Sequence, residues 1–278
     1  MTGTTKKETK PSNAACAECP TAQPHPFRQR IIFVSGDKGG VGKSTKTQAL
    51  SNNLRDRGYS IAVIDTDTRN PDVIRMFEGV VPTAGINLRK EDGWMDVIDF
   101  ITSHPDKHIL VSLPAGIGES MCQGMEFKEF CMFFDKKYSD ETRPELVLVW
   151  VINLFIDSVN LLSKTMTAIG DKFQKVVVVR NLVFSDNNPD LFQLWNESPL
   201  KKDLESKGRG ITVDLPALHL RTMTRLFHEP EDLMPFSEAL KQDEIFQFSK
   251  AEAFKLEAWI HHVDDGVAKI RDFVGLEN

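Results

Sequence analysis

The chain lacks an apolar segment long enough to cross a membrane. A spanning helix needs about 20 apolar residues, and the longest apolar run, Leu146 to Ile156, is shorter and contains Asn153. The pattern of a secretory signal is also missing. The sequence therefore predicts a cytoplasmic protein.

Cysteine is scarce. The 278 residues include four cysteines, namely Cys16, Cys19, Cys122 and Cys131. Cys16 and Cys19 form an isolated C-x-x-C pair, whereas a structural zinc ion or an iron–sulfur cluster normally takes four protein ligands. We therefore interpret Cys122 and Cys131 as packing residues of a predicted helix, and the first pair as part of a polar tail.

Positive charge is not in surplus. The chain has 34 lysines and arginines, 40 aspartates and glutamates, and a formal net charge of −6. This balance excludes a protein that coats nucleic acid over its whole surface, but it permits a local basic patch. Residues 1–29 are polar and rich in proline, which predicts a flexible N-terminal arm. Residues 30–278 show no linker-like break and predict one domain with a helical C-terminal portion.

Short apolar segments alternate with helical patterns from residue 31 onward. Strands are predicted at 31–35, 61–65, 109–113, 146–152, 176–179 and 211–213, and helices at 44–57, 93–103, 118–137, 158–173 and 190–206. Gly58 and Gly208 are predicted to follow the ends of two helices. Continuous apolar strands need cover on both faces. The pattern predicts a doubly wound α/β fold, with a mostly parallel sheet, helices on both faces, and ligands at the carboxyl ends of the strands.

A glycine-rich loop joins the first predicted strand to the first predicted helix. It consists of Lys38, Gly39, Gly40, Val41, Gly42, Lys43, Ser44 and Thr45. Its backbone N–H groups and the helix dipole can bind phosphate oxygens, Lys43 can neutralise them, and the Ser44 hydroxyl can ligate Mg²⁺. Asp37 replaces the first glycine of the usual motif, but the glycines nearest the phosphates are present. The loop predicts a nucleoside triphosphate site.

The loop resembles the deviant P-loop of the ParA and MinD family, whose KGGxGK[ST] motif matches Lys38 to Ser44. The resemblance extends over roughly residues 29–222. It implies a P-loop ATPase that binds ATP and Mg²⁺ and closes into a homodimer on ATP binding, with slow hydrolysis stimulated by a separate partner protein. It also implies that Lys38 is the signature lysine, which reaches the nucleotide of the opposite subunit.

Two further segments follow the family pattern at strand ends. The resemblance implies that Asp67 orients the attacking water, and Asp65 is predicted to support the loop or the outer shell of the metal; an acidic turn beside the next helix is the alternative. Ser112 stands where the family motif D-x-P-x-G has aspartate, while Pro114 and Gly116 match. This substitution predicts weaker Mg²⁺ binding or slow hydrolysis and leaves open a nucleotide-binding protein without turnover.

The adenine base of ATP is expected to lie beside the ends of two further predicted strands. The resemblance implies that the amide of Asn181 reads the adenine edge, with an ordinary strand-end turn as the alternative. The family loop that covers the other side of the base resembles Leu215 to Ala217, which contains Pro216.

Two arginines are candidates for DNA contact. ParA-like proteins use arginines of the helical region after the sheet to bind DNA phosphates without sequence preference. The resemblance therefore implies that Arg221 and Arg225, which lie in that region, contact DNA. Solvated helix faces are the alternative. The last predicted helix, Ala251 to Val274, carries five acidic residues against few basic ones, so anionic lipid would repel it. We therefore expect no membrane binding.

The leading hypothesis is a ParA-like switch that positions or segregates plasmid DNA or a protein cargo. Three alternatives stay open from the sequence. They are a plasmid stability or conjugation accessory of the same family, an iron–sulfur carrier that uses the four cysteines, and a nucleotide-gated adaptor that does not hydrolyse ATP.

Overall fold

The computed structural model describes residues 1, 27–36, 39–118, 121, 124–228 and 232–276. The predicted roles of Lys38, Cys16, Cys19 and Cys122 therefore fall outside the described residues, as does most of the predicted N-terminal arm.

The described residues form a sheet of seven parallel strands. These are β1 (Arg30–Ser35), β2 (Ile61–Asp65), β3 (Thr83–Gly85), β4 (His108–Ser112), β5 (Glu145–Ile152), β6 (Lys175–Asn181) and β7 (Gly210–Leu215). Their order across the sheet is β3-β2-β4-β1-β5-β6-β7, and every pairing is parallel. The predicted α/β fold is confirmed. The sequence pattern missed β3, because three residues are too few to show a period.

Helices connect the strands and follow the sheet. They are α1 (Lys43–Asp56), α2 (Asp72–Phe77), α3 (Gly93–Ser103), α4 (Glu126–Lys137), α5 (Ile156–Ile169), α6 (Gln193–Asn196), α7 (Pro199–Ser206), α8 (Leu220–Leu226), α9 (Phe236–Ala239), α10 (Asp243–Phe246) and α11 (Lys250–Val274). Three 3₁₀ turns lie at Gly170–Lys172, Leu182–Phe184 and Pro189–Leu191. None of the helices in the described ranges is long and apolar enough to span a membrane.

Two predicted helices were wrong in extent. The prediction at 118–137 is interrupted, because Gly124 and Met125 are not helical and α4 begins only at Glu126; glycine is a poor helix former. The prediction at 190–206 is divided, because Pro199 has no N–H and starts a new helix, α7. The Ser198 side chain caps α7 by accepting a hydrogen bond from Lys201 N.

The core lies on both faces of the sheet. On one face the strands pack against α1, α2 and the C-terminal helices α8 to α11. On the other face they pack against α3 to α7, and an aromatic group around Phe33 and Trp94 fills the space. The C-terminal helices thus bury the same sheet face as α1, and the carboxyl edge of the sheet stays open for a ligand.

Candidate nucleotide-binding site

The phosphate loop connects the end of β1 at Ser35 to the start of α1 at Lys43. Gly42, directly before α1, has a φ of 95°, in the left-handed region that residues with a side chain rarely adopt. A Cβ atom added to Gly42 would lie 2.4 Å from the Nδ2 atom of Asn181. The backbone conformation therefore favours glycine, and a side chain at this position would displace the amide of Asn181. The loop brings the N-terminus of α1, with its N–H groups, to the carboxyl edge of the sheet.

Gly36 fixes the other end of the loop. A Cβ atom here would lie 2.9 Å from the carbonyl oxygen of Val151 on β5 and 2.7 Å from Cγ2 of Val41. Val41 is itself buried. The loop therefore folds back onto the ends of β1 and β5 with no space for a larger residue at position 36.

Asn181, the last residue of β6, holds the loop. Its Nδ2 donates to the carbonyl oxygen of Val41 at 2.8 Å, and its Oδ1 accepts from the backbone N of Val183 at 3.2 Å. The side chain is buried. Two strand spacings, about 10 Å, separate β6 from β1. The amide of Asn181 connects the end of β6 to the loop that follows β1. The geometry therefore gives Asn181 a bracing role; base reading by this residue stays a prediction.

The variant Asn181→Ala separates the two roles. If the amide braces the loop, Asn181→Ala should lower the affinity for ATP and for GTP alike, by about three- to tenfold. The reason is that one buried hydrogen bond contributes about 1 kcal/mol. Titration with fluorescent analogues of both nucleotides measures this, with the exposed Asn160→Ala as the matched control. A loss restricted to ATP would assign the amide to the base.

Asp65 ends β2 and is buried. Its Oδ1 accepts from the backbone N of Asp67 and its Oδ2 from the backbone N of Val73, both at 3.1 Å. Burial raises the pKa of Asp65 to about 6. Both carboxylate oxygens of Asp65 therefore hold the segment that leads into α2, and a role of Asp65 near Mg²⁺ stays a prediction.

Asp67 lies in the turn after β2. Its Oδ1 accepts from the backbone N of Arg69 at 3.3 Å and of Asn70 at 3.4 Å. These bonds are those of a turn-forming aspartate. The carboxylate therefore stabilises its own turn in this conformation, and its orientation of a water molecule stays a prediction.

Ser112 lies between β1 and β2 at the carboxyl edge. It pairs with Val34 on one side and with Asp65 on the other. The carbonyl oxygen of Ser112 accepts from both the backbone N of Thr66, at 3.0 Å, and its Oγ1, at 2.6 Å. The position where the family has an aspartate is thus next to the strand that leads into the phosphate loop.

Ser44 is the remaining predicted Mg²⁺ ligand. It lies half-buried in the first turn of α1, where its hydroxyl suits a hard cation that also binds phosphate oxygens and water. Among the described residues, no group of three or more His, Cys, Asp or Glu side chains is placed to hold a metal ion by itself. A role of Ser44 as a ligand of Mg²⁺ stays a prediction.

A groove of about 710 Å³ opens between the ends of β6 and β7 and helix α11. Its lining includes Leu182, which directly follows Asn181, and Pro216 and Ala217 after β7. Pro216 accepts a hydrogen bond from Nε1 of Trp259 at 2.9 Å. The size is typical of a pocket for a small molecule. The structure thus brings the two residues predicted for the base, Asn181 and Pro216, to one side of the phosphate loop.

Arg221 and Arg225 lie together on α8 and contact the same carboxylate. Their Nε atoms are 3.1 Å and 3.0 Å from Oε1 of Glu252. Hydrogen bonds from the N–H and hydroxyl of Ser249, and from Arg225, lower the pKa of Glu252 to about 2. Glu252 therefore stays ionised and offsets one of the two positive charges.

The sequence analysis missed Lys46. This residue lies in α1, two positions after Ser44, and only 1% of its surface is exposed. Burial lowers its pKa to about 8, against the raising effect of the Asp214 charge. The first turns of α1 are polar in sequence, so nothing in the local pattern indicates that Lys46 is buried. The helices that cover α1 come from distant parts of the chain.

Comparison with known proteins agrees with this geometry. Residues 28–95, from β1 through the phosphate loop to the start of α3, match the family model described as "ParA: NUBPL iron-transfer P-loop NTPase". Protein MobD of Acidithiobacillus ferrooxidans is 33% identical over 212 residues, which are 76% of this chain and 87% of that protein. The chain belongs to the ParA/MinD-like family of P-loop NTPases.

Other relatives of this ParA/MinD-like chain match over shorter segments. The iron–sulfur cluster carrier protein of Clostridium perfringens is 39% identical over 64 residues, which are 23% of this chain and 20% of that protein. Among solved structures, the MinD cell division protein of Aquifex aeolicus aligns over 87% of this chain and 97% of its own, with 16% identity and a TM-score of 0.49.

Proposed function

We propose that this ParA/MinD-like protein is an ATP-dependent switch, a slow ATPase that closes into a homodimer around ATP and Mg²⁺ and positions or segregates a cargo. The observation that carries the proposal is the phosphate loop, built on Gly36 and Gly42, braced by Asn181, and preceded in sequence by a second lysine, Lys38. A plasmid stability or conjugation accessory would use the same switch with another partner.

Each site residue has one task in this proposal. Lys43 and the N–H groups of Gly39 to Gly42 neutralise and bind the phosphates, and Ser44 ligates Mg²⁺. Lys38 adds positive charge to the nucleotide of the opposite subunit. Asp67 orients the water, while Asp65 holds the turn that carries Asp67. Since no aspartate stands at position 112, we expect slow turnover without a stimulating partner.

Light scattering during size-exclusion chromatography tests the switch. We expect the mass to double when ATP and Mg²⁺ are added, and to return to that of the monomer with ADP. Lys38→Ala should keep ATP binding but lose the doubling, because its charge acts on the other subunit; the exposed Lys128→Ala is the control. A mass that ATP does not change would contradict the switch.

Nonspecific duplex DNA is a proposed cargo, supported by the adjacent Arg221 and Arg225. Because Glu252 holds both guanidinium groups, DNA phosphates must compete with a buried carboxylate. We expect binding only in the ATP-bound dimer, where two such faces add, and a steep loss with salt.

A gel shift with and without ATP, at low and physiological salt, measures this binding. Replacement of both arginines by alanine should weaken it without an effect on hydrolysis, whereas replacement of the exposed pair Lys136 and Lys137 should not. The absence of an ATP-dependent shift at low salt would leave a protein as the cargo.

An iron–sulfur carrier is the second candidate, favoured by the iron-transfer description of the matching family model. Cys131, the only cysteine within the described residues, is buried, and burial raises the pKa of its thiol to about 12. Such a thiol is poorly suited to bind iron as a thiolate, so a cluster would depend on Cys16, Cys19 and Cys122. Brown protein with visible absorbance after purification without air would support the carrier; colourless protein after reconstitution with iron and sulfide would contradict it.

A further inference from the structure

Arg89, which has no task in the proposed function, connects two segments at the carboxyl edge of the sheet. Its Nη2 atom donates to the carbonyl oxygen of Ala115 at 3.2 Å. Arg89 follows β3 and Ala115 follows β4, and β2 lies between these two strands. The hydrogen bond therefore crosses the end of β2 and ties the loop after β3 to the turn after β4.

The loop that carries Arg89 is held in shape. The Oδ1 atom of Asn87 accepts from the backbone N of Arg89 at 3.0 Å, and the backbone N of Lys90 donates to the carbonyl oxygen of Asn87 at 3.1 Å. A Cβ atom added to Gly93 would lie 2.5 Å from the same carbonyl oxygen, so the loop folds closely onto the start of α3. Leu88, next to Arg89, is buried. The backbone of Arg89 is therefore fixed, and its side chain extends toward β4 from an ordered base.

The hydrogen bond orients the peptide group between Ala115 and Gly116. The described peptide bonds are all trans, and in a trans peptide the carbonyl and the N–H point in opposite directions. Because Arg89 approaches the Ala115 carbonyl from the side of β2 and β3, the N–H of Gly116 faces the other side of β4. The neighbour of β4 on that side is β1, which leads into the phosphate loop.

The N–H of Gly116 is available for a ligand. Gly116 is exposed and has a φ of 74°, a backbone conformation that glycine adopts readily. Its N–H forms no hydrogen bond with any of the described residues. A backbone donor on the phosphate-loop side of β4 is therefore left for an acceptor that the chain itself does not supply.

We propose that Arg89 is a positioning residue through which the site distinguishes ATP from ADP. Arg89 holds the carbonyl of Ala115 and so presents the N–H of Gly116 to the terminal phosphate of ATP. The N–H groups of a phosphate loop surround the phosphates nearer the sugar, so a donor after the neighbouring strand reaches the last phosphate, which ADP lacks. The inference rests on the proposed function and deepens it, because a switch needs a group that responds to that phosphate.

An arginine is well suited to this task. A hydrogen bond from a charged donor is stronger than one from a neutral donor. The other N–H groups of the Arg89 guanidinium form no hydrogen bond or ion pair with the part of the chain that the structure describes. The positive charge of Arg89 is therefore not neutralised, and it favours an anionic phosphate beside the turn that Arg89 holds.

Isothermal titration in the presence of Mg²⁺ measures the discrimination, with ADP and the nonhydrolysable analogue AMP-PNP as probes. We expect Arg89→Ala to lower the affinity for AMP-PNP about three- to tenfold and to leave the affinity for ADP unchanged. Arg89→Lys, which keeps a charged donor, should recover most of the loss. Lys90→Ala, an exposed lysine at the next position of the same loop, should bind both nucleotides like the wild type.

NMR of the full chain with isotope-labelled glycine shows whether Arg89 acts through Gly116. The amide resonance of Gly116 is identified as the one that is missing from Gly116→Ala. We expect AMP-PNP to shift this resonance in the wild type and ADP to leave it in place. In Arg89→Ala the two nucleotides should no longer differ in their effect on it.

The outcomes separate the explanations. A ratio of AMP-PNP to ADP affinity that is the same in Arg89→Ala and in the wild type overturns the inference and leaves the proposed function intact. If the ratio changes but AMP-PNP still shifts the Gly116 resonance in Arg89→Ala, Arg89 contacts the phosphate directly and the positioning role is wrong. A wild-type chain that binds neither nucleotide contradicts the proposed function and this inference together.

Discussion

Lys43→Ala is expected to abolish ATP binding, with an affinity at least about 100-fold lower. A hydrogen bond from a charged group to phosphate contributes about 1.5–3 kcal/mol. Removal of the lysine ammonium group also leaves several phosphate oxygens without a partner. Lys43 begins α1, directly after the braced loop. Isothermal titration of the purified protein with ATP and Mg²⁺ measures the loss.

The matched control for Lys43 is Lys128→Ala, an exposed lysine in α4 on the opposite face of the sheet. It should bind ATP like the wild type. A melting curve for both variants checks that the fold is kept. Unchanged ATP affinity in Lys43→Ala would show that residues 39–45 are not the phosphate loop.

Asp67→Ala is expected to keep ATP binding and to lower turnover about 100-fold or more, because a positioned carboxylate that orients or deprotonates the nucleophile contributes about 10²- to 10⁴-fold. The ATP-bound dimer should therefore accumulate. Multiple-turnover phosphate release measures the rate, and light scattering measures the trapped dimer.

The control for Asp67 is Asp67→Asn, because asparagine keeps the oxygen that accepts from the backbone N–H groups of Arg69 and Asn70. If the carboxylate acts on water, Asp67→Asn should be as slow as the alanine variant. Full activity of Asp67→Asn would instead limit the residue to the turn that it stabilises.

Local patterns were sufficient for the phosphate loop and most of the sheet. The six predicted strands are all present, since each is a continuous apolar segment flanked by polar residues. The chain also turns at Gly58 and Gly208 after α1 and α7, as predicted. The loop was recognisable because its donors, its lysine and its hydroxyl are consecutive in sequence between a strand and a helix. Such features depend on neighbours along the chain.

The sequence by itself determined the α/β class, the family and the position of the glycine-rich loop between β1 and α1, because contiguous residues encode them. Only the tertiary structure decided which polar groups meet. It placed Asn181 against Val41, paired Arg221 and Arg225 with Glu252, and buried Lys46. Partners separated by 27 or 140 positions leave no periodic signal, since the packing of α11 on α8 and the sheet order bring them together.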